Sequence, residues 1–205
     1  MIEIILLVSS VLFIFALKLF GRPSTAHRAN TFAMLAMALA VFSAFNFDFS
    51  KYDSAFYITI VVSGLLGVLI SKRVQMTQMP ELVGLFNGFG GGASGAIAYV
   101  ELSNTSLPIS DVFVAIFSMV IGIFTFSGSL IAVLKLRGKL NNFSTKLGNI
   151  FSVFLPTILI IPAVLKMDTF LNEFIILVAL IAGVIRVAVI GGADMPVVIA
   201  FLNSL

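Results

Sequence analysis

The chain has 205 residues, of which 60% are hydrophobic and only 10% are charged, with a net charge of +3. A soluble domain is about half apolar and about a quarter charged, so this composition excludes a soluble enzyme, a nucleic-acid-binding protein and a disordered linker. Cysteine is absent and His27 is the single histidine, which excludes a disulfide framework and a thiolate or histidine metal cluster. The sequence therefore predicts an integral membrane protein.

Apolar runs long enough to cross a bilayer as helices recur along the chain. A spanning helix needs about 20 mostly apolar residues, and the runs lack the alternation that is typical of barrel strands. In chain order, they cover about residues 2–20, 31–47, 55–71, 81–100, 112–134, 148–165 and 170–190. An eighth run begins near Met195 and reaches Leu205 after about half of the hydrocarbon core. We predict an all-α, polytopic transmembrane helical bundle of seven spans plus a truncated eighth, with residues 1–205 as one domain that belongs to a longer chain.

Basic residues are distributed unequally between the predicted loops. When alternate loops are assigned to opposite sides, one side receives only Lys51 and Lys166. The other side receives Lys18, Arg22, Arg28, Lys72, Arg73, Lys135, Arg137, Lys139, Lys146 and Arg186. Because loops rich in lysine and arginine stay in the cytoplasm, the second side is predicted to be cytoplasmic and the N-terminus to be outside.

Two carboxylates depart from this charge pattern. Glu81 and Asp194 are the only acids assigned to the cytoplasmic side, and each lies close to a proline, Pro80 or Pro196, at the start of an outward-running helix. A carboxylate there complements the helix dipole and proline fits a first turn; a functional role is the alternative. Arg186 either extends toward the membrane surface or pairs with one of these acids.

The fourth run has an unusual density of glycine. A phosphate-binding loop is excluded, because no Lys-Ser/Thr pair follows the glycines and the segment lies inside an apolar span. Small residues recur at every fourth position instead, which allows another helix to approach closely. The two adjacent stripes are Gly84, Gly88, Gly92 and Ala96, and Asn87, Gly91 and Gly95. We expect this helix to be central, with neighbours on two faces.

Three polar side chains lie inside apolar runs at comparable depths. Asn87 and Ser129 are each six residues from a charged residue at the end of their run, roughly 9 Å inside, and Asn203 is roughly 13 Å inside. A buried amide needs a polar partner. An interhelical hydrogen bond that only holds the helices together is one interpretation, and a hydrated constriction on a proton path is the other.

Three segments of the chain carry more specific motifs. They are Gln78-Met-Pro-Glu-Leu-Val-Gly-Leu-Phe-Asn-Gly-Phe-Gly-Gly-Gly-Ala-Ser94, Thr125-Phe-Ser-Gly-Ser129 with Leu136-Arg-Gly-Lys139, and Gly191-Gly-Ala-Asp-Met-Pro-Val-Val-Ile-Ala-Phe-Leu-Asn-Ser204. In this order they resemble segments in the membrane domain of the beta subunit of proton-translocating NAD(P) transhydrogenase. The resemblance extends from about Met1 to Leu205.

The resemblance implies both an activity and residue roles. The family couples hydride transfer from NADH to NADP+ to inward proton movement. The implied proton-path positions are Asn87, Ser129 and Asn203. The implied domain-coupling positions are Asp194, Glu81 and Arg186. Many family members have histidine at the position of Asn87, whereas asparagine does not titrate in the physiological range, so here it would orient water while another group carries the proton.

The resemblance also implies cofactors and partners beyond these 205 residues. NADP and NAD would bind to domains of the complete enzyme that this fragment lacks, so the fragment would bind no cofactor and would not be catalytic alone. The implied partners are the alpha subunit, the NADP-binding domain, membrane lipid and a second copy of the complete enzyme, in a bacterial inner membrane.

Two alternatives to this interpretation remain at the level of sequence. A self-contained secondary transporter or channel would show internal repeats, and only the paired proline and acid positions at 80–81 and 194–196 resemble one. A non-catalytic remnant subunit is the other alternative.

Overall fold

All regular structure in the described part of the chain is helical. The computed structural model describes residues 2–44, 52–103, 107–141 and 169–205. The α-helices in these ranges are α1 (Ile2–Phe20), α2 (Ala26–Ala44), α3 (Ser54–Arg73), α4 (Met79–Leu102), α5 (Ile109–Leu136), α6 (Thr169–Ala188) and α7 (Met195–Asn203). The predicted all-α class is confirmed for these ranges, whereas the predicted span at 148–165 lies outside them.

Helix ends agree with the apolar runs except where polar residues continue a helix. α2 begins at Ala26, before the apolar run at residue 31, because a short 3-10 helix at Pro23–Thr25 leads directly into it. The Thr25 hydroxyl donates a hydrogen bond to the carbonyl of Leu19 at 2.6 Å. This bond links the last turn of α1 to the 3-10 helix. Because α2 continues directly from that 3-10 helix, its polar first residues are helical as well.

The described helices differ in their capacity to cross a membrane. α1, α3 and α5 are each long and apolar enough. Residues Asn172–Ala188 and Gly192–Asn203 meet the criteria only as a pair, bent by 109° at the break between them. Polar residues lower the mean hydropathy of α2, as glycines do that of α4. The described residues thus contain three candidate spans, or four if the bent pair is one span.

The chain divides into two compact units, Met1–Lys72 and Arg73–Leu205. In the first unit, α1 and α2 pack against each other through small residues, which lets their backbones approach. The buried Ser9 hydroxyl donates to the carbonyl of Ala36 at 2.7 Å, and the rings of Phe15 and Phe32 meet edge to face with centroids 5.2 Å apart. The exposed faces of α1 and α3 are apolar, which is typical of lipid-facing helices.

Among the described helices of the second unit, α5 has more helical neighbours than the glycine-rich α4. α5 packs against α4, α6 and α7. Both small-residue stripes of α4 lie against α5: a Cβ built on Gly88 would be 3.2 Å from Cβ of Ser129, and one built on Gly91 would be 2.8 Å from the carbonyl oxygen of Gly122. The sequence correctly predicted close approach at these glycines, and among the described helices α5 lies against both stripes, while α7 reaches Gly84.

The short helix α7 packs back onto α5 and α6. Its buried side chains form a hydrophobic cluster with α5 and α6, and the members of this cluster are Ala132, Val187, Met195, Ile199 and Leu202. α7 also reaches α4, since a Cβ built on Gly84 would be 3.0 Å from Cδ1 of Ile199. α7 therefore contacts both helices that carry the polar side chains described next.

Candidate functional site

Asn87 and Ser129 form a hydrogen bond between α4 and α5. The Asn87 side-chain amide donates from Nδ2 to Oγ of Ser129 at 2.9 Å. Ser129 is fully buried, and Asn87 is partly buried. The bond forms because Gly88, the next residue on α4, has no side chain to hold the two helices apart.

The pair is neutral but has unused hydrogen-bonding capacity. Ser129 accepts from Asn87, so its own hydroxyl proton remains available to another acceptor, and Asn87 retains a carbonyl oxygen and a second N–H. Neither side chain changes charge at physiological pH. The pair can therefore orient water or relay a proton through a hydroxyl, but it cannot store a charge.

Asn203 lies on α7 at the same level along α5 as this pair. Its neighbour Leu202 is buried against α5, where a Cβ built on Gly128 would be 3.3 Å from Cδ1 of Leu202. Gly128 directly precedes Ser129. The Asn203 side chain itself is exposed, and in the described residues it makes no hydrogen bond to Asn87 or Ser129. The structure thus joins two of the three predicted path residues by a hydrogen bond. The third, Asn203, follows a residue that packs against the neighbour of Ser129.

The last turn of α5 ends in a complete Schellman motif. Gly138 has φ +65°, in the left-handed region that favours glycine. Its N–H donates to the carbonyl of Lys135 at 2.9 Å, and the N–H of Lys139 donates to the carbonyl of Leu134 at 3.0 Å. These bonds end the helix at Leu136, so that Lys135 lies in its last turn and Arg137 is its C-cap residue.

Lys135 is buried rather than part of an exposed loop. Only 5% of the residue is exposed. Its ammonium group donates to the carbonyl of Ala188, the last residue of α6, and to the carbonyl of Ile190 at 2.6 Å. The sequence assigned Lys135 to the orienting loop, but the ammonium group instead binds the carbonyl end of a neighbouring helix, where the helix dipole favours a cation.

Arg137 provides the second link from the end of α5. Its Nε donates to Oε2 of Glu81 at 2.7 Å, with 44% of the Arg137 side chain and 19% of that of Glu81 exposed. A partly exposed ion pair of this kind contributes about 0–1 kcal/mol to stability. Glu81 therefore lies in the first turn of α4, where a carboxylate complements the helix dipole, and its partner in the ion pair is Arg137.

The other two predicted coupling residues lie around the break between α6 and α7. Arg186 is exposed in the last turn of α6. Asp194 is exposed and is the N-cap residue of α7, with no side-chain capping bond. Among the described residues, no three His, Cys, Asp or Glu side chains are grouped so that they could hold a metal ion.

Sequence reasoning missed Lys135 and Arg137 as interacting residues. Both were counted only for their charge. A signal was present for Arg137, because Glu81 is an acid predicted on the same side of the membrane. No such signal was available for the two described hydrogen bonds of Lys135, since their acceptors are backbone carbonyls more than fifty residues later in the chain.

A polytopic helical membrane protein is indicated by the long apolar helices and by their apolar exposed faces. The family model of the NAD(P) transhydrogenase beta subunit matches residues 2–205. The chain therefore belongs to the NAD(P) transhydrogenase beta subunit family.

Two curated relatives agree with this assignment. Both are sequences named NAD(P) transhydrogenase subunit beta from Rhodospirillum rubrum, one of them from a specified strain. Each is 30% identical over 212 aligned residues, which cover 97% of this chain and 46% of the relative. The chain thus spans about half the length of these relatives.

Proposed function

We propose that this chain is the membrane part of a transhydrogenase that couples hydride transfer from NADH to NADP+ to inward proton movement. Membership of the beta subunit family supports the reaction. The apolar helices support a location in the membrane, for which we propose seven spans plus a part of an eighth, with the N-terminus outside a bacterial inner membrane.

The observation that carries the proposal is the hydrogen bond between Asn87 and Ser129. A polar pair at the interface of two glycine-lined helices is costly in a membrane protein unless it is satisfied, and such pairs often mark ion or proton pathways. We assign Asn87, Ser129 and Asn203 to this path. Because the pair does not titrate, it would orient water, and a different group would bind the proton.

We assign the coupling between the membrane part and the nucleotide-binding domains to three charged residues at one end of the second unit. They are Glu81, Arg186 and Asp194. The support is positional: Glu81 is in the first turn of α4, and Arg186 and Asp194 flank the break between α6 and α7. The break lies at the start of the helix that carries Asn203, so a movement there would reach the proposed path.

The nucleotides are proposed to bind outside these 205 residues. The support is the composition of the chain, which is 60% hydrophobic and 10% charged and so offers few polar groups to a dinucleotide. We therefore infer that NADP and NAD bind to other parts of the complete enzyme, that this fragment alone is not catalytic, and that its partners include an alpha subunit, an NADP-binding domain, lipid and a second copy of the enzyme.

Ser129 and Ser127 offer a matched test of the proposed path. Both are buried serines on α5, but the Ser127 hydroxyl donates to the carbonyl of Phe124 on its own helix at 3.2 Å. In vesicles containing the complete enzyme, hydride transfer would be followed with an NADP+ analogue whose reduced form has a separate absorbance, and proton uptake with a pH-sensitive dye.

We expect Ser129→Ala and Asn87→Ala to lower the rate of proton uptake during hydride transfer by about 100-fold, the lower end of what a positioned proton-transfer group contributes. Ser127→Ala should retain the unmodified rate, because in the described residues its hydroxyl bonds within α5. An unchanged rate of proton uptake in both Ser129→Ala and Asn87→Ala would contradict the assignment of the path.

A further inference from the structure

The carbonyl end of α6 is bound by a lysine from another helix. A helix leaves its last carbonyl groups without intrahelical partners, and they carry the negative end of the helix dipole. The Lys135 ammonium group reaches two carbonyls in this region, those of Ala188 and Ile190. One belongs to the last residue of α6, and the other to the segment between α6 and α7.

Both carbonyls adjoin a sharp change in chain direction. Residues Asn172–Ala188 and Gly192–Asn203 are bent by 109° relative to each other. Lys135 therefore contacts the chain before and within the break. The backbone of α5 is also close to the residues after it, since a Cβ built on Gly192 would be 3.5 Å from the carbonyl oxygen of Lys135.

The side of α7 that faces α5 is held by buried apolar residues. Met195, the first residue of α7, is fully buried, and Ile199 and Leu202 are buried as well. These contacts are non-directional, so they favour burial of α7 without fixing its angle to α6. The two hydrogen bonds of Lys135 are directional and act at the pivot between the helices.

Lysine is chemically suited to this position. Its ammonium group has three N–H donors and no acceptor, so it can bind several converging carbonyl oxygens at once. A buried ammonium is costly unless it is compensated, and the carbonyls at the end of α6 provide that compensation. If the ammonium group and the carbonyls moved apart, each would be left without its compensating partner. The contact is therefore a strong constraint on the local geometry.

We propose that Lys135 is a positioning residue that sets the angle between α6 and α7. Through that angle it places Asp194 at the start of α7 and Asn203 at its end. The effect on coupling rests on the proposed function, whereas the effect on the angle does not.

The angle can be measured by double electron–electron resonance with spin labels on α6 and α7. Leu177 and Val197 are suitable sites because they are 53% and 72% exposed, and the 205 residues contain no cysteine that would compete for the label. The labels would be attached to Leu177→Cys and Val197→Cys in the complete protein in lipid nanodiscs, with any cysteine elsewhere in it replaced.

We expect Lys135→Met to shift and broaden the distance distribution, because the methionine side chain has similar length but no N–H donor. Lys135→Arg should restore a narrow distribution, since it retains the charge and the donors. Lys139→Met is the control for loss of one positive charge, because Lys139 is exposed just beyond the end of α5. If Lys135→Met does not assemble, Lys135→Ala replaces it, because it also removes the N–H donors and leaves room for water at the two carbonyls.

A distribution in Lys135→Met, or in its replacement, that matches the unmodified protein would overturn the positioning role. In the vesicle assay, we expect the same variant to lower the rate of proton uptake during hydride transfer by about ten-fold or more, because misplacement of a positioned group by about 1 Å can cost about 100-fold, with recovery in Lys135→Arg. A changed angle with an unchanged rate of proton uptake would overturn the claim that Lys135 acts on the path. The Asn87 and Ser129 variants test the proposed proton path, whereas the spin-label distances test the positioning role of Lys135. The failure of one proposal is therefore distinguished from the failure of the other.

Discussion

At the scale of single residues, the second unit depends on polar groups that satisfy one another in apolar surroundings. The Asn87 amide binds the Ser129 hydroxyl, and the Lys135 ammonium group binds two backbone carbonyls. The first contact joins two neutral side chains, whereas the second brings a cation to a helix end. We therefore expect the first to be a modest contribution to stability and the second a larger one.

The strength of the Asn87–Ser129 bond can be measured by a double-mutant cycle. Interhelical hydrogen bonds of this kind contribute about 0.6 to 2 kcal/mol. We expect the free energy of unfolding in mixed micelles to fall with Asn87→Ala and with Ser129→Ala, and the double variant to lose less than the sum of the two, because both single changes break the same bond.

Ser127→Ala combined with Asn87→Ala is the control for this cycle, and its two effects should add. Additivity of Asn87→Ala and Ser129→Ala as well would show that the two side chains do not interact in the membrane protein.

At the scale of helices, glycine determines how closely α4 and α5 approach. A Cβ built on Gly122 would be 2.6 Å from the backbone nitrogen of Gly95, and one on Gly91 would be 2.9 Å from side-chain carbons of Thr125. Backbone groups cannot move aside as a flexible side chain can. The approach of the two helices is therefore possible only with glycine at these positions.

Gly91 and Gly90 provide a direct comparison on neighbouring positions of α4. Gly91→Ala should lower the free energy of unfolding by about 1–3 kcal/mol, because the added methyl group overlaps α5. Gly90→Ala should leave it unchanged or raise it by about 0.5–1 kcal/mol, since no atom lies within 4 Å of the added methyl and alanine favours a helix. Equal destabilisation of both variants would contradict the described packing of α4 on α5.

The glycine pattern predicted close packing but not the partner. A small-residue stripe shows that some backbone approaches, while the identity of that backbone depends on helices distant in the chain. Among the described helices of the second unit, α5 contacts α4, α6 and α7, whereas α4 contacts α5 and α7, so the partners of α4 could not be read from its glycines. Similarly, the 109° bend before α7 was not predicted, because it depends on contacts between helices that are distant in the chain.

At the scale of the whole molecule, the described helices and their bounds followed from the length of the apolar runs and from their lack of alternation. The described helices begin and end within a few residues of the predicted runs, except where polar residues extend α2. Asn87 and Ser129 were predicted to share a depth, and the structure joins them by a hydrogen bond. Counting residues from the helix ends was sufficient for this, because α4 and α5 are continuous and antiparallel. The orientation of Asn203 was not predictable in this way, because it depends on the bend before α7.

The proposed mechanism requires two parts of a larger protein to act together. This chain matches about half of its relatives' length, and it provides apolar helices with a neutral polar pair. A neutral pair can take part in coupled proton transfer only if another event changes the access of water and protons to it. We attribute that event to nucleotide binding outside these residues. The break between α6 and α7 is the proposed point at which the change enters the membrane part.

The most direct test of the proposal is proton movement by the complete enzyme in sealed proteoliposomes during hydride transfer from NADH to NADP+. The pH on one side would be followed with a membrane-impermeant dye, with and without a protonophore. We predict a pH change that accompanies hydride transfer and collapses when the protonophore is added. Hydride transfer at an undiminished rate in sealed vesicles, without any protonophore-sensitive pH change, would contradict the proposal that this membrane part couples the reaction to protons.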